Sequence, residues 1–433
     1  MDEIRVASLN CWGLKYVSKD RNERIAAIAG AFSNAHYDII ALQEIWVEAD
    51  YIQVRDKVSH RLPYAKLFHS GALGSGLAIF TKWPIMASSI TPYSLNGEPI
   101  DVSGGDWFVG KAVGSVTIFH PTIGEVQIFN THLYAKGGED GPEYNRAHRL
   151  VNAWEFAKVI QQAVQLGRCV IATGDFNSVP TSLPMNIILD HTGLSDAWAV
   201  SHLQVPPPST TISPIDGVTL YGVTADSPLN TYRDSEPSGD ALVRKYQGKR
   251  LDYILFRGPR LPSDQSTDHR LECKNSSVIF TEPIPGNTCS YSDHFGVEAT
   301  LVITSEGLGG SDVMLKDAEP SGVSPATTSE MLGALQAYYR LSQDRSRREL
   351  TTFALSILLL FGLTVGSAWV PLPSANPIFI MFTVLVAWFS TTMLYEGFIF
   401  GNWERKALQN VIEELELYKK TTVDKRSRVR EPL

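Results

Sequence analysis

Short apolar runs at residues 4–9, 39–42, 77–80, 113–119, 126–129, 169–172, 254–256 and 297–303 have the length and β-branched content of strands. Between some of them, residues 21–35 and 146–165 repeat apolar side chains at helical spacing and predict amphipathic helices. Many short strands interleaved with helices predict an α+β body, residues 1–304, in which two sheets pack face to face under flanking helices. Residues 204–240 are rich in Pro, Ser, Thr and Asp and read as an irregular insertion.

The pattern changes after that body. Residues 305–330, dominated by Gly, Ser, Pro and Thr, predict a flexible linker, and residues 331–350 a juxtamembrane helix. Residues 351–370 and 377–395 hold no charge, and at about 1.5 Å per residue each reaches across roughly 30 Å of hydrocarbon. Leu355, Ile357, Leu358 and Phe361 cover all faces of the first helix, as a lipid-facing span requires. The uncharged turn 371–376 makes a hairpin of spans 351–370 and 377–400. Arg345, Arg347 and Arg348 precede it and Arg405, Lys406, Lys419 and Lys420 follow it, which predicts that both ends face the cytosol. Glu396 reads as an interfacial carboxylate, and residues 401–433 as an amphipathic helix with a basic tail.

Composition narrows the function classes. The 433 residues are 44% hydrophobic and 19% charged, which excludes wholesale disorder and collagen-like or coiled-coil chains. A net charge of -8 argues against nucleic acid as the main partner, since phosphate backbones select basic faces. Four scattered cysteines without a CxxC pair support neither a disulfide scaffold nor a zinc site. The charged start Met1-Asp2-Glu3-Ile4-Arg5 lacks the apolar stretch of a secretory leader, so a reduced, cytosol-facing body is expected.

Several apolar runs end in residues that bind metals or carry protons. Residues 4–9 lead to Asn10, 39–42 to Gln43-Glu44, 126–129 to Asn130-Thr131-His132, and 169–172 to Gly174-Asp175-Phe176-Asn177. Arg250-Leu251-Asp252-Tyr253 and Ser292-Asp293-His294 flank two more runs. Singly, each is an ordinary cap or turn. Together they offer carboxylate and amide oxygens for a hard cation such as Mg²⁺, and imidazoles for proton transfer.

These motifs, with Leu9-Asn10-Cys11-Trp12-Gly13, Gln43-Glu44-Ile45-Trp46 and Thr131-His132, resemble the ordered motifs of the endonuclease/exonuclease/phosphatase superfamily. Asn10-Cys11-Trp12-Gly13, Gly74-Ser75-Gly76-Leu77 and Gly105-Asp106-Trp107-Phe108-Val109-Gly110-Lys111-Ala112, followed by a membrane hairpin, resemble its neutral sphingomyelinase branch, which includes the fungal inositol phosphosphingolipid phospholipases C. The resemblance implies a DNase I-like four-layer sandwich of two mixed sheets and a Mg²⁺-dependent phosphodiesterase. It implies His294 as general base oriented by Asp252, and Glu44 as principal Mg²⁺ ligand with Asn10 nearby and Asp293 assisting. Asp175, Asn177 and His132 are expected at the phosphoryl group.

Gly105 to Lys111 also fits GxxxxGK. A nucleotide loop would continue with Ser or Thr and open a helix, whereas Ala112 follows and residues 113–119 read as strand, so that reading is rejected. The stretch is either a glycine-rich surface loop or, by the resemblance, a regulatory pair of Asp106 and Lys111 that meets substrate phosphate or an anionic lipid, with Trp107 and Phe108 at the membrane interface. His148 is expected either at the cleft or packed against a helix.

The leading expectation is a sphingolipid phospholipase C releasing ceramide and a phosphorylated headgroup, stimulated by anionic phospholipid. Its partners are the bilayer and a membrane sphingolipid, with no nucleic acid and with pairing of chains through the spans left open; its expected residence is the endoplasmic reticulum or mitochondria-associated membrane. A nuclease, an inositol polyphosphate phosphatase and a catalytically silent lipid-binding scaffold are the alternatives. The sequence does not select between choline and inositol headgroups.

Overall fold

The computed structural model describes residues 2–102, 105–138, 141–233, 239–259, 269–305, 322–369 and 373–430. It divides into two compact units, the first built from Met1–Asn96, Phe108–Gly141 and His148–Thr327, the second from Gly97–Trp107, Pro142–Ala147 and Thr328–Leu433.

The first unit contains twelve strands in two six-stranded sheets. Strands β1 (Asp2–Asn10), β2 (Ile39–Gln43), β3 (Tyr64–Leu67) and β4 (Ala78–Thr81) begin one sheet. The chain then builds the other from β5 (Ile85–Pro92), β6 (Ala112–His120), β7 (Gly124–His132), β8 (Cys169–Asp175), β9 (Ser195–Asp196) and β10 (Asp252–Arg257). Strands β11 (His269–Ile279) and β12 (Gly296–Ser305) return to complete the first, giving orders β11-β12-β1-β2-β4-β3 and β5-β6-β7-β8-β10-β9. Both sheets are mixed, because β1 runs parallel to β2 and β7 parallel to β8 while the other pairings are antiparallel.

Strand alternation sorts the side chains into layers. Ile4 and Val6 of β1 meet Val116, Ile128, Ile171 and Ile254 from the opposite sheet in the central core. On the outer faces, Ala7 and Leu9 pack with Ile25, Ile28 and Phe32 of helix Arg21–Asn34, and Val170 and Ala172 with Phe156 and Ile160 of helix Ala147–Gln165. This is the expected sandwich, with helices outside both sheets. The sheets are also joined by a polar bridge. Asn130 donates to the carbonyls of Leu42 (2.8 Å) and Ala78 (3.0 Å) and accepts from Gln43 at 2.7 Å. The insertion is less irregular than its composition suggests, since Ser213 caps a helix Pro214–Tyr221; residues 234–238 lie outside the described residues.

In the second unit, one helix runs unbroken from Pro325 to Gly366, so the expected juxtamembrane helix and first span are continuous. Pro325 opens it and Ser324 Oγ accepts from Thr327 N at 3.0 Å, while residues 306–321 of the expected linker lie outside the described residues. The second span is helix Asn376–Leu394, continued through a π-helical turn Tyr395–Phe400 into helix Gly401–Arg430. Residues 370–372 of the connecting turn and 431–433 of the tail fall outside the described residues. Both helices are long and apolar enough to cross a membrane. Leu358, Phe361, Ile378 and Trp388 stand exposed, as lipid-facing residues do. Glu396 is buried within this unit, not at an exposed boundary. Below the spans, Tyr338, Ser342 and Arg345 converge on the buried Glu404, and Arg345 also pairs with Glu98.

Candidate active site

The site follows from the period-two pattern of the strands. Asn10 shares the inner row of β1 with Ile4 and Val6, His132 that of β7 with Val126 and Ile128, Asp175 that of β8 with Cys169 and Ile171, and Asp252 that of β10 with Ile254 and Phe256. Each lies at the end of a row that begins in the core, with buried Ser8, Asn130 and Thr173 as the intervening polar step on β1, β7 and β8. Register then sets them side by side, His132 opposite Asp175 and Asp175 opposite Asp252. Three loop residues complete the cluster in left-handed or irregular backbone, Glu44 at φ 54° and Asn177 at φ 47°, with His294 bridged to Ala225. Gly174 permits the close approach of β7 and β8, since at its φ of 150° a Cβ would fall 2.2 Å from the Thr131 carbonyl oxygen.

One hydrogen-bonded chain links the cluster. Asn10 Nδ2 donates to Glu44 Oε1 and to Asp175 Oδ2, both at 3.0 Å. His294 Nε2 lies 4.0 Å from Asp175 Oδ2, and its Nδ1 meets Asp252 Oδ2 at 2.9 Å. Asp175 Oδ1 accepts from Asn177 N at 2.9 Å. Lys111 Nζ donates to the Leu133 carbonyl at 2.9 Å and sits 3.2 Å from His132 Nε2; Asn177 Nδ2 donates to the same carbonyl at 3.0 Å. Nε2 of His132 also lies 3.5 Å from Asp175 Oδ2, and its Nδ1 is buried without a partner among the described residues.

The electrostatics record an excess of negative charge. Burial, then repulsion by Asp293, pushes the Glu44 carboxyl up to about 7, and burial raises Asp175 to about 6. Burial also raises Asp293, against the pull of His294. For His294, burial disfavours the imidazolium, but Asp252 and Asp175 outweigh it and hold the ring well above its ordinary value. Burial, Lys111 and His294 push His132 well below. Four carboxylates thus share a pocket with Lys111 and His294, a deficit of positive charge that a divalent cation would offset.

The oxygen donors of Glu44, Asn10 and Asp293 suit a hard cation. Asp175, Asp252 and His294 also place ligand atoms within 4.8 Å of one another. The 2.9 Å hydrogen bond engages Asp252 Oδ2 and His294 Nδ1, while Asp252 Oδ1 has no partner among the described residues, so this trio and the oxygens of Glu44 and Asn10 are the two places where the cluster could hold a cation.

The structure therefore brings together Asn10, Glu44, Lys111, His132, Asp175, Asn177, Asp252, Asp293 and His294. Lys111 stands in this cluster, while Asp106 occupies a half-buried turn of the second unit. Strand β6 begins at Ala112, in keeping with the rejected nucleotide loop. Trp107 meets Tyr395 edge-on within the second unit, ring centroids 6.4 Å apart, and His148, on helix Ala147–Gln165, is buried with its ring 5.2 Å from that of Tyr134 in the loop after β7.

Two contributors escaped the sequence reading. Arg24 is buried and donates to the carbonyls of Cys11 (2.8 Å), Trp12 (2.7 Å), Lys19 (2.8 Å) and Tyr291 (3.1 Å), pinning the loops beside Asn10 and Asp293. On its helix it resembles any amphipathic arginine, and only its place on the buried face beside Ile25 and Ile28 signals the role. Thr224 Oγ1 accepts from Asp252 N at 3.3 Å and from Leu251 N at 3.1 Å. It lies in the stretch taken for an insertion.

Comparison with known proteins agrees with this geometry. Residues 7–294 match the endonuclease/exonuclease/phosphatase family model, whose members use divalent metals. An inositol phosphosphingolipids phospholipase C of Schizosaccharomyces pombe is 37% identical over 420 residues, covering 95% of this chain and 93% of that one. Its Saccharomyces cerevisiae counterpart is 32% identical, covering 95% and 89%. Sphingomyelin phosphodiesterase 2 of Homo sapiens is 37% identical over 306 residues, covering 69% and 64%. The chain is thus a phosphodiesterase hydrolase of the endonuclease/exonuclease/phosphatase family, in the branch of the inositol phosphosphingolipid phospholipases C and neutral sphingomyelinases.

Proposed function

We propose that this enzyme is a membrane-anchored phospholipase C that cleaves the phosphodiester of inositol phosphosphingolipids, sphingomyelin or both, releasing ceramide and the phosphorylated headgroup. The observation that carries this reading is similarity along 95% of the chain, apolar hairpin included, to two inositol phosphosphingolipid phospholipases C. Residues 1–304 are the catalytic domain, 305–330 a linker, 331–350 the juxtamembrane helix, 351–370 and 377–400 the spans, and 401–433 the cytosolic end. The protein resides in the endoplasmic reticulum or mitochondria-associated membrane with its catalytic domain in the cytosol, and anionic phospholipid stimulates it.

In this mechanism the neutral form of His294 takes the proton of the attacking water at Nε2, because Nδ1 is committed to Asp252; since Asp252 and Asp175 hold the ring high, that form and the turnover it supports gain as pH rises. Asp175 and Asn177 border the phosphoryl group, Asp175 holding the proton for the departing alkoxide, a role its raised carboxyl suits. Lys111 supplies positive charge beside His132, and burial of both excludes water from the phosphate. Mg²⁺ held by Glu44 and Asn10 with Asp293 assisting, when bound, would supply further positive charge to the phosphoryl oxygens.

The test is full-length protein in phospholipid nanodiscs with Mg²⁺, offered inositol phosphoceramide, sphingomyelin, nicked DNA and a phosphoinositide. Ceramide release from a sphingolipid is expected. Turnover confined to DNA or to the phosphoinositide monoester would replace this reading with a nuclease or a phosphatase.

A further inference from the structure

Apart from the catalytic cluster, the first unit holds a cavity of about 380 Å³, within the roughly 300–1,000 Å³ of ligand pockets. Its wall is mainly apolar, with Val179, Trp198, Leu220, Val223 and Leu242 among the lining side chains. Leu203 and Leu220, also in the lining, remain 69% and 42% exposed, apolar surface that an apolar ligand would remove from water. The two cationic side chains of the wall are matched. Arg250 donates to Asp196 at 2.7 Å, and Lys249 lies 3.4 Å from Asp226 and 3.6 Å from Asp240. A phosphate or a nucleotide would find its counter-charges already engaged, whereas a neutral hydrocarbon loses nothing by entering.

We infer that this cavity takes one aliphatic chain of a lipid and that its occupancy bears on turnover, an inference that deepens the lipid reading of the site and rests on it. The coupling runs through residues 222–225. A Cβ on Gly222 would come within 2.7 Å of the Trp198 ring, so that ring lies directly on the segment, and Val223 faces the cavity. The next residue, Thr224, holds the Asp252 and Leu251 amides on Oγ1 and accepts from Phe295 N at 2.7 Å; Ala225 bridges to His294. A chain seated against Trp198 and Val223 therefore steadies the segment that positions both members of the Asp252–His294 pair. The chain belongs either to the lipid being cut or to a neighbouring one; the chemistry is the same, and substrate choice separates them.

The experiment places full-length protein in nanodiscs whose phospholipids and sphingolipid both carry brominated chains and reads Trp198 fluorescence as the difference between wild type and Trp198→Phe. Loss of that difference signal relative to unbrominated discs is expected. Ala199→Phe, at an exposed lining position, and Val205→Phe as a second plug are then assayed on bilayer sphingolipid and on the chain-free diester bis(nitrophenyl) phosphate. Activity lost on sphingolipid alone assigns the chain to the substrate, and activity lost on both assigns it to a neighbouring lipid acting through residues 222–225. An unquenched Trp198, or folded plug variants with wild-type turnover on both substrates, overturns the inference. Wild type must release ceramide in the same discs. If it does not, the phospholipase reading itself fails, whereas ceramide release beside a silent Trp198 removes the cavity alone.

Discussion

Asp252→Asn probes the proton relay with the least disturbance of shape. The wild-type carboxylate accepts from His294 Nδ1 at 2.9 Å with its side chain fully buried, so the contact is a charge-assisted hydrogen bond in a dry site. Such bonds contribute about 1.5–3 kcal/mol, and a loss of that size in the transition state lowers kcat by about 10- to 150-fold. If the amide also turns the imidazole into the wrong tautomer, the loss approaches the roughly 10⁴-fold seen for the equivalent change in a Ser-His-Asp triad. Stability is subject to two opposed changes, since the variant takes from the buried His294 the partner that holds its ring high. Asp252 Oδ1 is buried without a partner among the described residues, and its charge helps to push Asp175 up, so removing it relieves repulsion. The assay is kcat on a soluble diester with Mg²⁺, beside the melting temperature of the same sample. A folded variant with kcat within about threefold of wild type would refute the assignment of His294 and Asp252.

Other outcomes follow from the same contacts. Divalent cation is expected to raise the melting temperature of wild type, and EDTA to reverse it, by an amount that grows as ligand binding to the folded state alone dictates. Glu44→Gln is expected to abolish that shift while making the cation-free protein more stable, since Glu44 is held high by burial and Asp293; an undiminished shift would move the ion elsewhere. Gly174→Ala forces a Cβ to 2.2 Å from the Thr131 carbonyl oxygen, which costs on the order of 1–3 kcal/mol in strain alone, and a melting temperature equal to wild type would contradict the observed approach of β7 and β8. Arg24→Met leaves four carbonyls without their donor and is expected to lower stability by about 3–5 kcal/mol, read by urea unfolding.

The catalytic residues were legible because strand geometry leaves a linear trace. Apolar positions alternate inward until the strand leaves the core, and the inward positions then turn polar, Asn130 and His132 on β7, Thr173 and Asp175 on β8. What the sequence hid was of two kinds. Edge strands such as β5, exposed over most of its length, bury too little to display an apolar run, and β11 is half wet for the same reason. Residues that serve a site from another element, such as Arg24 on its helix and Thr224 on a bridge, carry no periodic mark. Lys111, expected near the phosphate, reads in sequence as part of a loop because of the glycines around it. The structure shows Gly110 seated against Gly71, where a Cβ would clash with backbone, and the lysine beyond it turned into the centre beside His132. The expected juxtamembrane helix and first span fuse because no proline lies between Pro325 and Gly366, and Gly333 and Gly362 are tolerated within the helix.

The central claim, water attacking the phosphorus of a sphingolipid phosphodiester with His294 as base, is tested most directly by turnover in water labelled with heavy oxygen. Mass spectrometry of both products is expected to place the label in the phosphorylated headgroup and none in ceramide, with turnover lost in His294→Ala. Label in the ceramide hydroxyl, release of ceramide phosphate, or unchanged turnover in that variant would contradict the account.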